Sequence, residues 1–381
     1  MREAVIVDAI RTPVGRRKGA LANERPEEFG AKTVNALLTK TGIDPNLIED
    51  LKFGCNTQVN EQGANPARRI ALASNLPYTV SGVTINRWCC SSQEAVHNAA
   101  QAIIAGDADF IIAGGVESMT RMPMGSEWPS TWAPMMANKH EITLPGIAAE
   151  MIADKWGLSR KELDEFGLLS HQRAIKALDE GKLKDECFPI EVTKEDGTKF
   201  MFTADEGPRR DTTLEKLSSL KPPFKEGGKI TAGNSSQVSD AAAALLIASK
   251  ETALAHGMKP RAKVKTRVVV GSDPTFSLTG PIPATELALK RSGLKISDID
   301  FFEVNEAFAS VVLAWQREFK VDMAKINPNG GAIAIGHPLG ASGARIMITM
   351  LHELERRGGT FALQTMCIGH GHSCATIIER M

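Results

Sequence analysis

Three residues, far apart in the chain, have surroundings suited to chemistry. Cys89 stands in Asn86-Arg87-Trp88-Cys89-Cys90-Ser91-Ser92, at the start of an expected apolar helix carrying Ala95, Val96, Ala99, Ala100 and Ile103. A thiol there meets the positive end of the helix dipole, which favours the thiolate, and the thiolate is the nucleophile. His337 stands in Gly336-His337-Pro338, among glycines that let backbone approach a ligand closely. An imidazole exchanges protons near working pH. Cys367 ends an expected strand over 361–367 that runs into Gly369 and Gly371. One thiol to carry an acyl group, an imidazole to activate it and a second thiol to move a proton would make an acyltransferase that forms or cleaves a carbon–carbon bond.

Elements must bring these three together. A chain of 381 residues is too long for one ordinary core, so two or three domains are expected. The opening residues Ala4 to Val7 read as a first strand, and 27–41 has helical spacing with Phe29, Val34, Leu37 and Leu38 on one side. Phe110-Ile111-Ile112-Ala113 reads as a strand closed by Gly114-Gly115. Strands alternating with helices imply α/β layering. A faint repeat runs through the chain: Leu38-Thr39-Lys40-Thr41-Gly42-Ile43 resembles Leu289-Lys290-Arg291-Ser292-Gly293-Leu294, with Ile48 matching Ile299 at the same separation. Two similar α/β units in one chain is the economical reading. The stretch 120–237, with Trp128, Trp132 and an amphipathic run over 160–178, is too long for a loop and reads as an inserted subdomain placed to cover a substrate. The domain division is therefore 1–119 plus 238–257, then 120–237 inserted, then 258–381.

Composition excludes several classes. Apolar residues make up 43% and charged residues 24%, as in soluble globular proteins. Lys+Arg and Asp+Glu number 45 each, so nucleic acid or an anionic membrane is not expected as a main partner. No apolar stretch is long enough to span a membrane, no signal-peptide core opens the chain, and six cysteines spread over this length form no disulfide framework. A reducing compartment, the cytoplasm, is the expectation. Neither a P-loop nor a dinucleotide fingerprint is present.

The motifs, taken jointly and in order, resemble the thiolase family nearly end to end. They are Asn86-Arg87-x-Cys89-x-Ser91-Ser92, Gly114-Gly115-Val116-Glu117-Ser118-Met119, Ala232-Gly233-Asn234-Ser235-Ser236, Asn305-Glu306-Ala307-Phe308, 330–338 ending in Gly336-His337-Pro338, and Cys367-Ile368-Gly369-His370-Gly371. The resemblance implies a thiolase-like α/β fold, two related five-stranded halves in α-β-α-β-α layers with an inserted loop domain, assembled as a homodimer or homotetramer. It implies reversible CoA-dependent cleavage of 3-ketoacyl-CoA to acetyl-CoA and a shortened acyl-CoA, in fatty acid β-oxidation, through an acyl group on Cys89. Acetoacetyl-CoA as main substrate is the alternative. Coenzyme A and acyl-CoA are then substrates, with no separate cofactor and no metal, and a β-oxidation enzyme is the kind of partner the resemblance implies. By the same resemblance His337 is the base, Cys367 the second acid/base, and Asn305 holds a water beside His337 for one oxyanion. The N–H groups of Cys89 and Gly369 receive the other. Ser236, Arg209, Phe224 and Ala232 would contact coenzyme A, and Phe308 would flank the acyl pocket.

The chain departs from the family at Cys90, His370, His372 and Ser373, and at Leu144-Pro145-Gly146 where many relatives have Met before the glycine. These departures concern pocket shape rather than reaction class. Two other classes stay open: a condensing enzyme acting on carrier-bound acyl groups, which would pair its Cys with two His, and a non-catalytic acyl-CoA-binding protein. A metal cluster of Cys367, His370, His372 and Cys374 is the rival reading of the C-terminal motif, against the usual zinc-site pattern of ligands drawn from separate segments.

Overall fold

The computed structural model describes residues 2–381. The helix Pro26–Thr41 opens with Pro at its first turn and two glutamates near its positive end, and closes on Gly42 at φ 65°. The helix Pro281–Ser292 closes on Gly293 at φ 72° in the same way. Both are followed by a short 3-10 turn and then a strand, Asp50–Gly54 in one half and Phe301–Val304 in the other. The faint repeat thus corresponds to one supersecondary unit used twice. A left-handed residue without a Cβ ends each helix at little steric cost.

The main sheet has ten strands: nine form a path that begins at Phe301–Val304 and continues through Phe361–Ile368, His372–Arg380, Ala262–Gly271, Ala4–Arg11, Ser239–Ser249, Phe110–Ser118 and Asp50–Gly54 to Ser81–Ile85, and the short Gly15–Arg16 pairs off it with Ser239–Ser249. Within the sheet the two halves are paired through Val5 with Lys263 and Ile6 with Ala262. The helices Ser91–Ala105 and Leu339–Arg357 pack on each other between the half-sheets, burying Val96, Ile103, Met347 and Leu351 against Ile6, Ile111 and Ile247. Pro26–Thr41 and Pro66–Ala73 cover the outer face of the first half over Phe29, Phe53 and Leu246. Pro281–Ser292 and Ala309–Phe319 cover that of the second, over Phe302, Trp315 and Leu363. Sheets buried on both faces explain strands without polar alternation, such as the fully buried Ser239–Ser249.

Three local expectations change. The strand expected to stop at Gly114 runs on to Ser118. Its glycines are interior because a Cβ at Gly114 would meet Ala243 O and the Phe53 ring, and one at Gly115 would meet Gly340 O and Ser92 Cβ. The C-terminal half has four named strands, not five, among the described residues. Ile326 touches Phe302 only as an isolated bridge, and Asn327, at φ 45°, bonds both the N–H and the C=O of Val304 through its side chain at 2.8 Å. An amide side chain there does the work of a paired strand. The helix Ser91–Ala105 begins two residues beyond Cys89, with Cys90 as its cap.

The stretch 120–237 contains the helices Pro145–Lys155 and Arg160–Asp179 and the hairpin of Ile190–Thr193 with Lys199–Phe202. Ser159 and Glu162 form a reciprocal capping box at the start of Arg160–Asp179. This stretch is tied to the first half by the buried pair of Arg11 with Asp205, bonded at 2.7 and 3.0 Å. It packs on the second half through contacts with Ala309–Phe319.

Candidate active site

Cys89 is held by a turn whose reason is visible in the motif. Asn86 accepts from Trp88 N–H through its side-chain oxygen at 2.9 Å and donates to Asn56 O at 2.8 Å. Ser91 Oγ accepts from Arg87 N–H at 2.9 Å. Trp88 sits at φ 51°, a rare conformation for a bulky residue, and the turn turns Cys89 out of the helix toward a cavity. His337 occupies the matching place in the second half. It stands two residues ahead of the helix that starts at Leu339, as Cys89 does ahead of the one that starts at Ser91. Cys367 comes from the end of Phe361–Ile368.

These three side chains line one cavity of about 260 Å³, together with Asn56, Gly369, Ser236, Phe224 and Phe308 among others. Phe224 and Phe308 meet edge to face at 6.1 Å between centroids, and Gly146 is needed because a Cβ there would strike the Phe224 ring. Asn305 is buried behind His337, its amide nitrogen 3.4 Å from Nε2, and its Oδ1 has no hydrogen-bond partner among the described residues. Ser342 donates to Pro338 O at 2.8 Å and therefore accepts from His337 Nδ1–H at 2.6 Å. That tautomer leaves the lone pair on Nε2.

The electrostatics correct the dipole argument. Burial pushes the Cys89 thiol from its usual 9.0 up to about 12, against a backbone hydrogen bond that favours the thiolate. The shift corresponds to roughly 4 kcal/mol against the charged form, whereas an end-of-helix charge interaction is typically ~0.3–1 kcal/mol. Burial, with the Arg345 guanidinium adding to it, pulls His337 from 6.5 down to about 3. Burial and then Cys89 push Cys367 up as well. The resting site holds neutral thiols and a neutral imidazole.

Of the expected contacts, Cys89, His337, Cys367, Gly369, Ser236, Phe224 and Phe308 surround the cavity and Asn305 stands behind it. Arg209 and Ala232 do not line it; both are exposed. Arg209 is instead fixed through its backbone N–H to His171 Nδ1 at 3.1 Å. The rival metal set does not gather. Cys374 lies near Glu94 and His97, while His370 and His372 face Trp88. Sequence reasoning missed Asn56, Trp88, Gln237 and Ser342. Gln237 braces the His337 loop by accepting its N–H on the backbone oxygen at 3.0 Å and donating to Ile333 O and Ala334 O at 2.9 Å. Trp88 beside Cys89, Gln237 beside Ser236 and Ser342 five residues beyond His337 sat close enough in the chain to be found, whereas Asn56 did not.

Two cysteines and a histidine around one cavity, brought there by two duplicated α/β halves, define an acyltransferase that works through a thiol. The chain belongs to the thiolase family: the model for "Thiolase, N-terminal domain" matches residues 4–251 and that for "Thiolase, C-terminal domain" matches 258–380. It is 47% identical to a steroid 3-ketoacyl-CoA thiolase of Mycobacterium tuberculosis, covering 100% of this chain and 95% of that protein. It is 44% identical to a 3-ketoacyl-CoA thiolase of Bacillus subtilis, covering 100% of both. Among solved structures, human mitochondrial 3-ketoacyl-CoA thiolase superposes with a TM-score of 0.92 at 37% identity, over 100% of this chain and 99% of that one. No helix among the described residues is long and apolar enough to cross a membrane.

Proposed function

We propose that the chain cleaves 3-ketoacyl-CoA with coenzyme A, giving acetyl-CoA and an acyl-CoA two carbons shorter, and runs the condensation in reverse. One observation carries the reading: Cys89, His337 and Cys367 border the same cavity. Cys89 sulfur attacks the 3-keto carbon while its proton passes to His337 Nε2. The bond between the second and third carbons breaks, its electron pair stays with the acetyl-CoA fragment as an enolate, and Cys367 protonates that carbon. Coenzyme A then gives its thiol proton to the Cys367 thiolate and attacks the acyl group. Cys89 leaves and recovers its proton from His337. Because burial disfavours separated charges at rest, proton transfer is coupled to charge developing on substrate oxygen. The N–H groups of Cys89 and Gly369 receive one oxyanion. His337 and a water held by the free Oδ1 of Asn305 receive the other, each donor worth roughly 3 kcal/mol of barrier.

The reaction needs neither metal nor further cofactor, coenzyme A being a substrate. The carrier-protein alternative is disfavoured because the cavity's second proton carrier is Cys367 rather than another histidine. We place the enzyme in the cytoplasm, which is supported by six free thiols. We expect a homodimer or homotetramer, since the part-exposed Ser81–Ile85 ends the sheet and offers its edge for pairing. Incubation with radiolabelled acyl-CoA should place label on Cys89. Cys89→Ala should abolish it and Cys90→Ala should leave it measurable. Label that survives Cys89→Ala sinks the proposal.

A further inference from the structure

Beyond the reaction cavity, and sharing with it Trp88, Trp128, Pro145 and Gly369, lies a second cavity of about 230 Å³ that also takes in Trp132, Thr143 and His370. Its walls are flat. Trp88 and Trp128 lie near parallel, 23° apart, with centroids at 6.4 Å. His370 stands edge-on to both Trp88 at 4.1 Å and Trp132 at 4.8 Å. The chain accepts strain to make this arrangement. His370 holds a left-handed φ of 61°, anchored by its N–H to Ser277 Oγ at 2.9 Å. Gly369 beside it is required, since a Cβ there would strike the Trp88 ring. Two polar groups line the cavity beside the indoles: the His370 imidazole, whose pKa burial lowers, and Thr143, whose buried hydroxyl has no hydrogen-bond partner among the described residues. His370 belongs to none of the catalytic steps above.

An apolar cavity of about 150 Å³ accommodates a benzene ring, so this one has room for more than a single six-membered ring. Flat aromatic walls match the faces of a ring better than the changing profile of a flexible chain. A few polar groups in such a lining fix orientation. We propose that this second cavity receives the acyl end of the substrate, and that the enzyme prefers 3-ketoacyl-CoA whose acyl group ends in a fused ring system bearing a hydroxyl or keto oxygen, which His370 and Thr143 bind. The inference rests on the thiolase reading, because Cys89 must hold the carbonyl from which the ring extends past Trp88.

The test compares kcat/KM of the full chain for three substrates: acetoacetyl-CoA, a straight-chain 3-ketoacyl-CoA, and one of equal carbon number ending in a hydroxylated decalin. The decalin substrate should exceed the straight chain by about tenfold or more. Trp132→Leu should cost the decalin substrate about tenfold more than it costs acetoacetyl-CoA. His370→Gly, which relieves the left-handed strain and so folds readily, should erase the preference for the hydroxylated over the plain decalin. Equal kcat/KM for ring and straight chain, or losses spread evenly over all substrates, would overturn the inference while leaving thiolysis intact. Failure to cleave even acetoacetyl-CoA would instead bring down the thiolase reading itself.

Discussion

At Cys89 the helix end and the burial pull in opposite directions, and burial is the larger by several kcal/mol on the order-of-magnitude scale. The sign follows directly. With its pKa raised to about 12, Cys89 is protonated through the neutral range, and its thiolate fraction climbs with pH without levelling off. Alkylation of Cys89 by iodoacetamide should therefore quicken by about tenfold per pH unit between about pH 6 and 9. A plateau with a midpoint near neutrality would show a resting thiolate–imidazolium pair instead. Ser342 is a positioning residue for the same chemistry, because its acceptance of Nδ1–H keeps the Nε2 lone pair available. Ser342→Ala should lower kcat by about tenfold with KM within about twofold, as expected for a buried donor left unpaired. Ser342→Thr, which keeps the hydroxyl, should recover most of the rate. An unchanged kcat in Ser342→Ala would remove Ser342 from the mechanism.

At the scale of elements, the two central helices present their first turns to the same place, and glycine is what lets them. The start of Leu339–Arg357 is fastened by Glu117, which accepts from Gly340 N–H and Asn56 N–H at 2.8 Å. A Cβ at Gly340 would meet the Cys55 backbone, Val116 O and that same carboxylate. Gly340→Ala should cost about 1–3 kcal/mol by overpacking, read as a lowered urea midpoint, and should reduce activity by shifting His337. An unaltered midpoint would show that the contact has slack. Many elements were legible in the sequence. The spacing of Phe29, Val34 and Leu37 set the helix Pro26–Thr41, and Gly42 and Gly293 marked the repeated helix ends. Gly114-Gly115 was misread because glycine at a turn and glycine in a crowded strand look alike until the neighbours are known.

Across the whole molecule, the inserted stretch is held to the first half by charge in a dry place. Arg11 is fully buried, and Asp205 binds it twice while Glu186 lies at 3.4 Å. Removing Asp205 leaves the buried Arg11 charge with only the longer contact to Glu186, so Asp205→Ala should cost about 3 kcal/mol. Limited proteolysis should then cut first within 120–237. A variant as stable as the parent, or one cut first elsewhere, would show that other contacts hold the stretch.

The order of residues alone pointed to the reaction class, through motifs around Cys89, His337 and Cys367 that resemble the thiolase family, and left a carrier-dependent condensing enzyme and a non-catalytic acyl-CoA binder open. It also determined the duplication, since helix ends are written in short-range residue choices. Only the tertiary structure decided that the thiols and imidazole rest uncharged, that Arg209 and Ala232 stand apart from the cavity, and that Trp88, Trp132 and His370 meet. Those outcomes depend on which side chains exclude water from one another across hundreds of residues, and desolvation is a property of the packed interior rather than of any segment.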